Sequence, residues 1–173
     1  DNQALTEALR QAEVVLPVFI LDAKLISSEF VGPARLAFLF DGLRALDSSL
    51  RDHGSRLILR QGDPLEVLTT LRQENQDEGI FAEEDYSPYA RQRDEKIALT
   101  LPLQLMPGVT LFPPQVLTKA NGEPYTVFTP FSRLWRSLPS PSSPKPAPDH
   151  LPSVPEMLSL EIPALPHHPI DNS

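Results

Sequence analysis

The sequence predicts an α/β fold, a Rossmann-like doubly wound parallel sheet flanked by helices. Helical and strand patterns alternate along residues 1–138 with short connections, and such alternation is typical of a parallel sheet with right-handed crossovers. The second observation is a continuous apolar run, VVLPVFIL, at residues 14–21. A strand that is apolar along its whole length fits a parallel sheet, because helices cover both of its faces.

The first half of the chain is predicted to run helix, strand, helix. Asn2 is placed to cap a first helix that carries an apolar stripe. The apolar strand at residues 14–21 follows and ends at Asp22. Gly32-Pro33 then starts a long helix, and His53-Gly54 ends it with the glycine at the left-handed position.

The second half continues the alternation. We expect strands at Arg56–Arg60, Gly79–Ala82 and Leu103–Met106. Between them, Gly62-Asp63-Pro64 supplies a turn, a cap and a first helical proline, and Ser87-Pro88 starts a charged helix in the same way.

An aromatic-rich stretch, GEPYTVFTPFSRLWR, fills residues 122–136. Thr129 and Pro130 are placed as cap and first residue of a short helix over residues 130–138. Phe131 and Trp135 are four apart and share a face of that helix. A bulky apolar face just before a linker predicts docking against this domain, against a following domain, or both.

Two segments are predicted: a folded domain at residues 1–138 and a linker or tail at residues 139–173. Half of the chain's 20 prolines lie at residues 139–169, and such a segment favours extended conformations. The chain opens on a helix and carries no initial methionine, whereas a doubly wound sheet begins with a central strand. We therefore expect the first strand to lie upstream, and the chain to be less stable without it.

Composition excludes several classes of function. The chain has 15 Lys+Arg against 23 Asp+Glu, a net charge of −8, which disfavours direct binding of nucleic acid. It has no cysteine, hence no disulfide, thiolate metal site or cysteine nucleophile. No apolar run is long enough to span a membrane and no signal peptide opens the chain, so we expect a cytoplasmic protein.

Candidate ligand-binding residues lie where predicted strands end, the edge at which such sheets bind ligands. Asp22 is predicted to cap a loop or to line a pocket, whereas Asp63 is predicted to cap a helix. Asp85 is the best ligand candidate in the acidic run at residues 83–85. Arg35, in the first turn of the long helix, faces either solvent or a pocket, since cations are not favoured there.

No catalytic or metal site is predicted. The sequence contains no GxGxxG, GxxxxGK[ST] or GxSxG motif. The acidic run at residues 83–85 lacks a histidine and a second acidic cluster. His167-His168 in the tail has no partner cluster, so we expect no metal at either place.

Six motifs lie in order along residues 1–138. They are DNQAL (1–5), VLPVFILD (15–22), GPARLAFL (32–39), GSRLILRQGDPLEVL (54–68), DYSPYARQRD (85–94) and GEPYTVFTPFSRLWR (122–136). The first resembles the end of RDLRxxDNxAL, the fifth resembles DxEPYxRxRD, and the last resembles GxPYxVFTPFxxxW. Together they resemble the N-terminal domain of the DNA photolyase and cryptochrome family.

This resemblance implies a function in two layers. Full-length photolyases use reduced FAD and blue light to split cyclobutane pyrimidine dimers, and the FAD and the damaged DNA bind to a C-terminal helical domain. The N-terminal domain is the antenna domain, whose second chromophore passes excitation to FAD. The chain is thus expected to be inactive alone and to have that helical domain as its partner. The alternatives are a cryptochrome-type photoreceptor and a stand-alone small-molecule-binding α/β module.

The resemblance also implies which residues bind a chromophore. Pocket residues of deazaflavin-type members match Phe19, Arg35 and Asp85. Ser87 stands where the motif of those members has glutamate, so FMN and an empty pocket are alternatives to deazaflavin. Folate-type members carry Asn-Glu at the place of Tyr89-Ala90, which disfavours folate. With Asp22, the expected cofactor-binding set is Phe19, Asp22, Arg35, Asp85 and Ser87.

Overall fold

Helices and short parallel strands alternate along the chain in the computed structural model, which describes residues 2–27, 31–76, 78–141 and 143–164. The elements are α1 (Gln3–Gln11), β1 (Val18–Leu21), α2 (Ala23–Ile26), α3 (Pro33–Asp52), β2 (Ile58–Gln61), α4 (Pro64–Asn75), β3 (Ile80–Glu83), α5 (Pro88–Ala98), β4 (Leu103–Met106), a 3-10 turn (Pro114–Val116) and α6 (Phe128–Ser137). None of these helices combines the length and apolarity needed to cross a bilayer.

Side-chain caps set the starts of several helices. The Asn2 Oδ1 atom accepts a hydrogen bond from the Leu5 N–H at 2.7 Å, and Asp63 Oδ1 accepts from the Leu65 N–H at 3.0 Å. These caps bind backbone donors that have no partner inside the helix. Gly54 follows α3 with φ +91°, a conformation that glycine adopts without strain. The predicted caps at Asn2, Asp63 and Ser87 and the predicted end of the long helix are confirmed.

The strands pair as two parallel two-stranded sheets. β1 pairs with β2, with Val18 opposite Ile58, and β3 pairs with β4, with Ile80 opposite Leu103. The prediction of parallel strands is confirmed, but the pairing runs β1–β2 and β3–β4, and within the described residues no hydrogen bond links the two pairs of strands. The strand that we expect upstream stays a prediction.

Helices cover both faces of the strands. α3 buries Phe40, Leu43 and Leu50 in one hydrophobic cluster with apolar side chains of β1 and β2, and side chains of α1 pack against that cluster. On the other face, the buried Arg60 of β2 forms an ion pair with Glu74 of α4 at 2.6 Å. α4 packs against α5, and α1 packs on β3 and β4. These helices therefore hold the two strand pairs together.

The strand expected at Arg56–Arg60 begins at Ile58, and two further predicted element starts are wrong. The strand expected from Val14 begins at Val18, because Pro17 has no N–H to donate and contributes only its carbonyl, which accepts from the Ile58 N–H. The last helix begins at Phe128 with Val127 as its cap residue, so Thr129 does not cap it. Proline at the third position is tolerated, because the first four N–H groups of a helix lack intrahelical acceptors.

The proline-rich segment lies partly on the domain. Residues 151–163, here named the strap, run along the outer edge of β2. The Leu160 N–H donates to the Leu59 carbonyl at 2.9 Å, and Ser159 Oγ accepts from the Leu59 N–H at 3.0 Å. Leu151 enters the hydrophobic cluster beside α3. The strap forms no helix or strand of its own, yet it covers an edge that would otherwise stay unpaired. The domain boundary at residue 138 stays a prediction.

Truncating the strap leucines separately tests whether this segment is part of the folded unit. Leu151 is 4% exposed, so we expect Leu151→Ala to lower the free energy of unfolding by about 2–5 kcal/mol. Leu158 in the same segment is 68% exposed, and Leu158→Ala should change it by less than about 0.5 kcal/mol. Urea unfolding compares them; equal, near-zero effects would show that the strap is detached in solution.

Candidate functional site

The candidate site lies at the carboxyl ends of β1 and β3, beside the starts of α2 and α5. Asp22 directly follows β1, and the loop after β3 carries Asp85 and Ser87. Tyr89, in the first turn of α5, connects these two places because its hydroxyl donates a hydrogen bond to Asp22 Oδ2. Carboxyl ends of strands are the edge at which doubly wound sheets bind ligands.

Asp22 is buried, and each of its two carboxylate oxygens accepts a hydrogen bond from a protein group. Its side chain is the N-cap of α2, where Oδ1 accepts from the Lys24 N–H at 2.9 Å. Oδ2 accepts from the Tyr89 hydroxyl, and the residue is only 5% exposed. A carboxylate in such a place is stabilised by its donors rather than by water. Of the two roles expected for Asp22, capping is the one that the structure displays.

Tyr89 is half-buried and stays protonated at physiological pH. Burial, the hydrogen bond to Asp22 and the negative charge of Asp22 together raise the pKa of Tyr89 to about 12, while Arg93 acts in the opposite direction. Burial and a nearby anion both disfavour the charged phenolate. Tyr89 therefore serves as a neutral hydroxyl, donating its proton to Asp22.

Asp85 and Ser87 form a capped turn next to Tyr89. The Asp85 Oδ1 atom accepts from the Ser87 N–H at 2.8 Å, and Ser87 Oγ accepts from the Ala90 N–H at 3.3 Å. Both residues are exposed, so a ligand could reach the second carboxylate oxygen of Asp85. The turn fixes the position of the first turn of α5 and hence of Tyr89.

Phe19 lies in β1 and Arg35 in the first turn of α3. Phe19 is half-buried in β1 and packs against the hydrophobic cluster. Arg35 is exposed in the first turn of α3. The structure thus brings Asp22, Asp85 and Ser87 together through Tyr89, and a ligand-binding role for all five predicted residues stays a prediction.

Two lysines stand near the start of α4. Lys24 Nζ lies 3.6 Å and Lys96 Nζ 4.0 Å from Asp63 Oδ2. Burial would raise the pKa of Asp63, but the Leu65 N–H and the lysine charges outweigh burial and lower it. Because both lysines are largely exposed, these ion pairs add little to stability. They do place positive charge beside the candidate site.

Arg93 and Asp94 form an ion pair whose carboxylate end is buried. Arg93 Nε lies 2.7 Å from Asp94 Oδ1, and this hydrogen bond raises the pKa of Arg93. Asp94 is 5% exposed, and within the described part of the chain its Oδ2 atom has no hydrogen-bond partner. The two partners are neighbours in α5, and the Asp94 end of the pair is buried.

The acidic run at residues 83–85 does not act as one cluster. Glu83 Oε1 accepts from the Gln3 N–H at 3.0 Å, which ties β3 to α1, whereas Asp85 caps its own turn. Among the described residues, no group of three or more histidines and carboxylates is arranged to hold a metal ion. His167-His168 lies outside the described residues.

Sequence reasoning missed the role of Tyr89. From the sequence, this position serves only to disfavour folate. The contact itself joins residues 67 positions apart, and no local pattern indicates such a pair.

Three comparisons place the chain among known proteins. A family model described as DNA photolyase matches residues 1–149. The chain is 33% identical over 178 residues to a deoxyribodipyrimidine photo-lyase of Synechococcus sp., covering 95% of this chain and 37% of that protein. The fold is similar to a bacterial class III photolyase from Agrobacterium tumefaciens, with a TM-score of 0.83 and 29% identity over 92% of this chain and 34% of that one.

A further similar structure is an archaeal photolyase from Sulfolobus tokodaii, with a TM-score of 0.69 and 27% identity over 89% of this chain and 35% of that one. That structure is described as holding two FAD molecules, with the implication of a novel light-harvesting cofactor. The chain spans just over a third of the length of each of these relatives.

Removing the Tyr89 hydroxyl tests the contact with Asp22. We expect Tyr89→Phe to lower the free energy of unfolding by about 1–3 kcal/mol near neutral pH, because a buried carboxylate oxygen loses its donor. The raised pKa of Tyr89 means that this stabilisation is fully present below about pH 10 and is lost as the pH rises through about 12. Urea unfolding of both proteins across this range measures the difference.

Tyr125→Phe is the control, because the ring of Tyr125 contacts Phe131 while the described residues give its hydroxyl no hydrogen bond. It should change stability by less than about 0.5 kcal/mol. A Tyr89→Phe effect as small as this control, or one that does not change with pH, would contradict the contact.

Proposed function

The chain belongs to the DNA photolyase family, and we propose that it is the N-terminal domain that holds a light-harvesting chromophore in a blue-light, FAD-dependent DNA photolyase. The observation that carries this proposal is the family match over residues 1–149, which falls on an α/β unit with polar side chains at the carboxyl ends of its strands. The whole protein would repair cyclobutane pyrimidine dimers, and this chain alone would be inactive.

The proposed chromophore is a deazaflavin or FMN, with folate less suited. The donor set fits a planar ring with polar edges: Arg35 can meet a carbonyl or anionic edge, and Asp85 can accept from a ring N–H. Phe19 offers part of an aromatic face, since it is only half-buried. The Sulfolobus relative described with two FAD molecules supports a flavin-type ring.

The chromophore would supply light absorption and transfer of excitation to the FAD of the whole protein. The residues of this chain would bind and orient it. Ser87 and Asp22 take part by fixing the first turn of α5 and the end of β1, since their oxygens accept backbone N–H groups there. Binding geometry, rather than acid–base chemistry, is therefore the task of this site.

The proposed partner is a C-terminal helical FAD domain of the same protein. Relatives are nearly three times as long as the matched region. On α6, Phe128 is 74% exposed and Trp135 is also exposed, as is Val127 directly before the helix. An apolar patch of this kind favours a protein contact. With a net charge of −8, we expect damaged DNA to bind only through that helical domain, in the cytoplasm.

A cryptochrome-type photoreceptor and a stand-alone binding module are the alternatives. The reading frame downstream of Ser173 distinguishes the stand-alone module from the photolyase and the cryptochrome-type photoreceptor. Coding that continues into a helical domain supports the antenna proposal, and a stop codon directly after Ser173 would favour the stand-alone module. A lesion-binding pocket in the helical domain would distinguish repair from signalling.

Reconstitution tests the proposed chromophore. The purified chain is incubated with deazaflavin, FMN or a reduced folate, separated from free ligand, and examined by absorbance. We expect about one equivalent of deazaflavin or FMN to remain bound, and folate to be lost. If none of the three is retained, the antenna proposal is wrong.

Variants that remove one charge test whether Arg35 and Asp85 contact the chromophore. Arg35→Gln and Asp85→Asn should each weaken binding about 5- to 30-fold, the loss of one charge-assisted hydrogen bond. Arg44→Gln is the control, because Arg44 lies on the same helix and pairs with Asp41. Arg44→Gln should bind the chromophore as tightly as the unchanged chain does. Equal losses of affinity in all three variants would indicate a general effect of charge and contradict the contacts.

A further inference from the structure

We propose that a cavity beneath the strap binds a small zwitterion, a molecule the size of a free amino acid with one carboxylate and one ammonium group. The cavity has a volume of about 320 Å³ and lies between the last turns of α3, the outer edge of β2 and the strap. Ligand pockets in proteins begin at about 300 Å³. The residues that line it include neither Tyr89 nor any of the five expected chromophore residues, so this is a second site.

Two guanidinium groups give one side of the cavity its positive charge. Arg51 donates from Nε to Asp47 Oδ2 at 2.8 Å. Arg56 donates from one Nη2 group to the strap carbonyls of Pro155 and Met157, at 3.1 and 3.2 Å. Within the described part of the chain, the other N–H groups of both arginines have no hydrogen bond. Their planar geometry suits a carboxylate, which accepts two parallel hydrogen bonds.

Asp47 lines the same side but is already occupied. Its Oδ1 atom accepts from the Leu57 N–H at 2.8 Å, and its Oδ2 atom accepts from Arg51. Burial would raise the pKa of Asp47, but these hydrogen bonds and the charges of Arg51 and Arg56 outweigh burial and lower it. Asp47 therefore holds Arg51 in place, and two guanidinium groups against one carboxylate keep this side positive.

Glu161 of the strap brings a negative charge to the same cavity. It is exposed, and among the described residues it forms no ion pair and no hydrogen bond, although two arginines line the cavity with it. A simple anion bound to the arginines would be repelled by this carboxylate, whereas the ammonium group of a zwitterion would be attracted. Leu160 and Ile162 also line the cavity and suit an apolar side chain on the ligand.

A ligand that makes these contacts would join three parts of the domain. Arg51 belongs to α3, Arg56 lies two residues before β2, and Glu161 belongs to the strap. Such a ligand binds the state in which the strap lies along β2 and not the state in which the strap has left it. Binding therefore stabilises the docked strap by mass action.

Three probes of matched shape test the class of ligand by calorimetric titration of the complete chain. They are L-leucine, 4-methylpentanoate, which lacks the amino group, and 3-methylbutylamine, which lacks the carboxylate. Leucine should bind about tenfold more tightly than either of the others, because each of them loses one charge-assisted contact. This comparison needs no variant. Absence of leucine binding, or equally tight binding of 4-methylpentanoate, would overturn the proposal.

Variants then assign the two ends of the ligand. Glu161→Gln should abolish the preference for leucine over 4-methylpentanoate, whereas Glu156→Gln, an exposed charge of the strap outside the cavity, should keep it. Arg51→Gln should weaken leucine binding about tenfold. Arg10→Gln is its control, because Arg10 pairs with Glu7 on α1, and it should leave binding unchanged. A full preference for leucine in Glu161→Gln would show that the probe binds elsewhere and contradict the site.

Protection of the strap provides a second readout. A glutamate-specific protease cleaves after Glu156 only when the strap leaves the edge of β2, so the cleavage rate follows the population of the released state. Saturating leucine should slow this cleavage about tenfold, and an unchanged rate would overturn the proposed contact with the strap. Neither measurement involves a chromophore, so failure here leaves the antenna proposal untouched.

Discussion

The carboxylate of Asp22 is the group on which the candidate site depends. One oxygen caps α2 and the other receives the Tyr89 hydroxyl, so a single buried side chain joins the end of β1 to the start of α5. These two elements belong to strand pairs that are not hydrogen-bonded to each other within the described residues. The position of the Asp85–Ser87 turn relative to β1 follows from this contact, because that turn leads directly into the helix that carries Tyr89.

Packing around the strands makes this geometry possible. Parallel pairs of four-residue strands have little stability by themselves. Here α1 and α3 bury one side, α4 and α5 bury the other, and the strap covers the outer edge of β2. The strap is extended and rich in proline, yet its backbone and Ser159 supply the hydrogen bonds that the edge of β2 lacks. A segment that connects two domains in a longer protein could thus also stabilise the first one.

Local chemistry accounts for what the sequence could predict. Capping residues such as Asn2 and Asp63, the glycine after α3, and the parallel character of an apolar strand all act within a few residues, so they can be read from the chain. The predicted start of β1 is too early, because the apolar run continues through Pro17, which has no N–H to donate to a neighbouring strand. The strap contacts and the pair of Asp22 with Tyr89 join distant residues. Such contacts depend on how the elements pack, which a single sequence does not display.

The central proposal is that a chromophore binds at the carboxyl ends of β1 and β3, and a crystal structure of the chain with its retained chromophore tests it most directly. It predicts a ring N–H about 2.7–3.2 Å from a carboxylate oxygen of Asp85, with the Tyr89 hydroxyl still donating to Asp22. A ring bound elsewhere, for example against the strap, or a ring that contacts Asp22 directly with Tyr89 displaced, would contradict it.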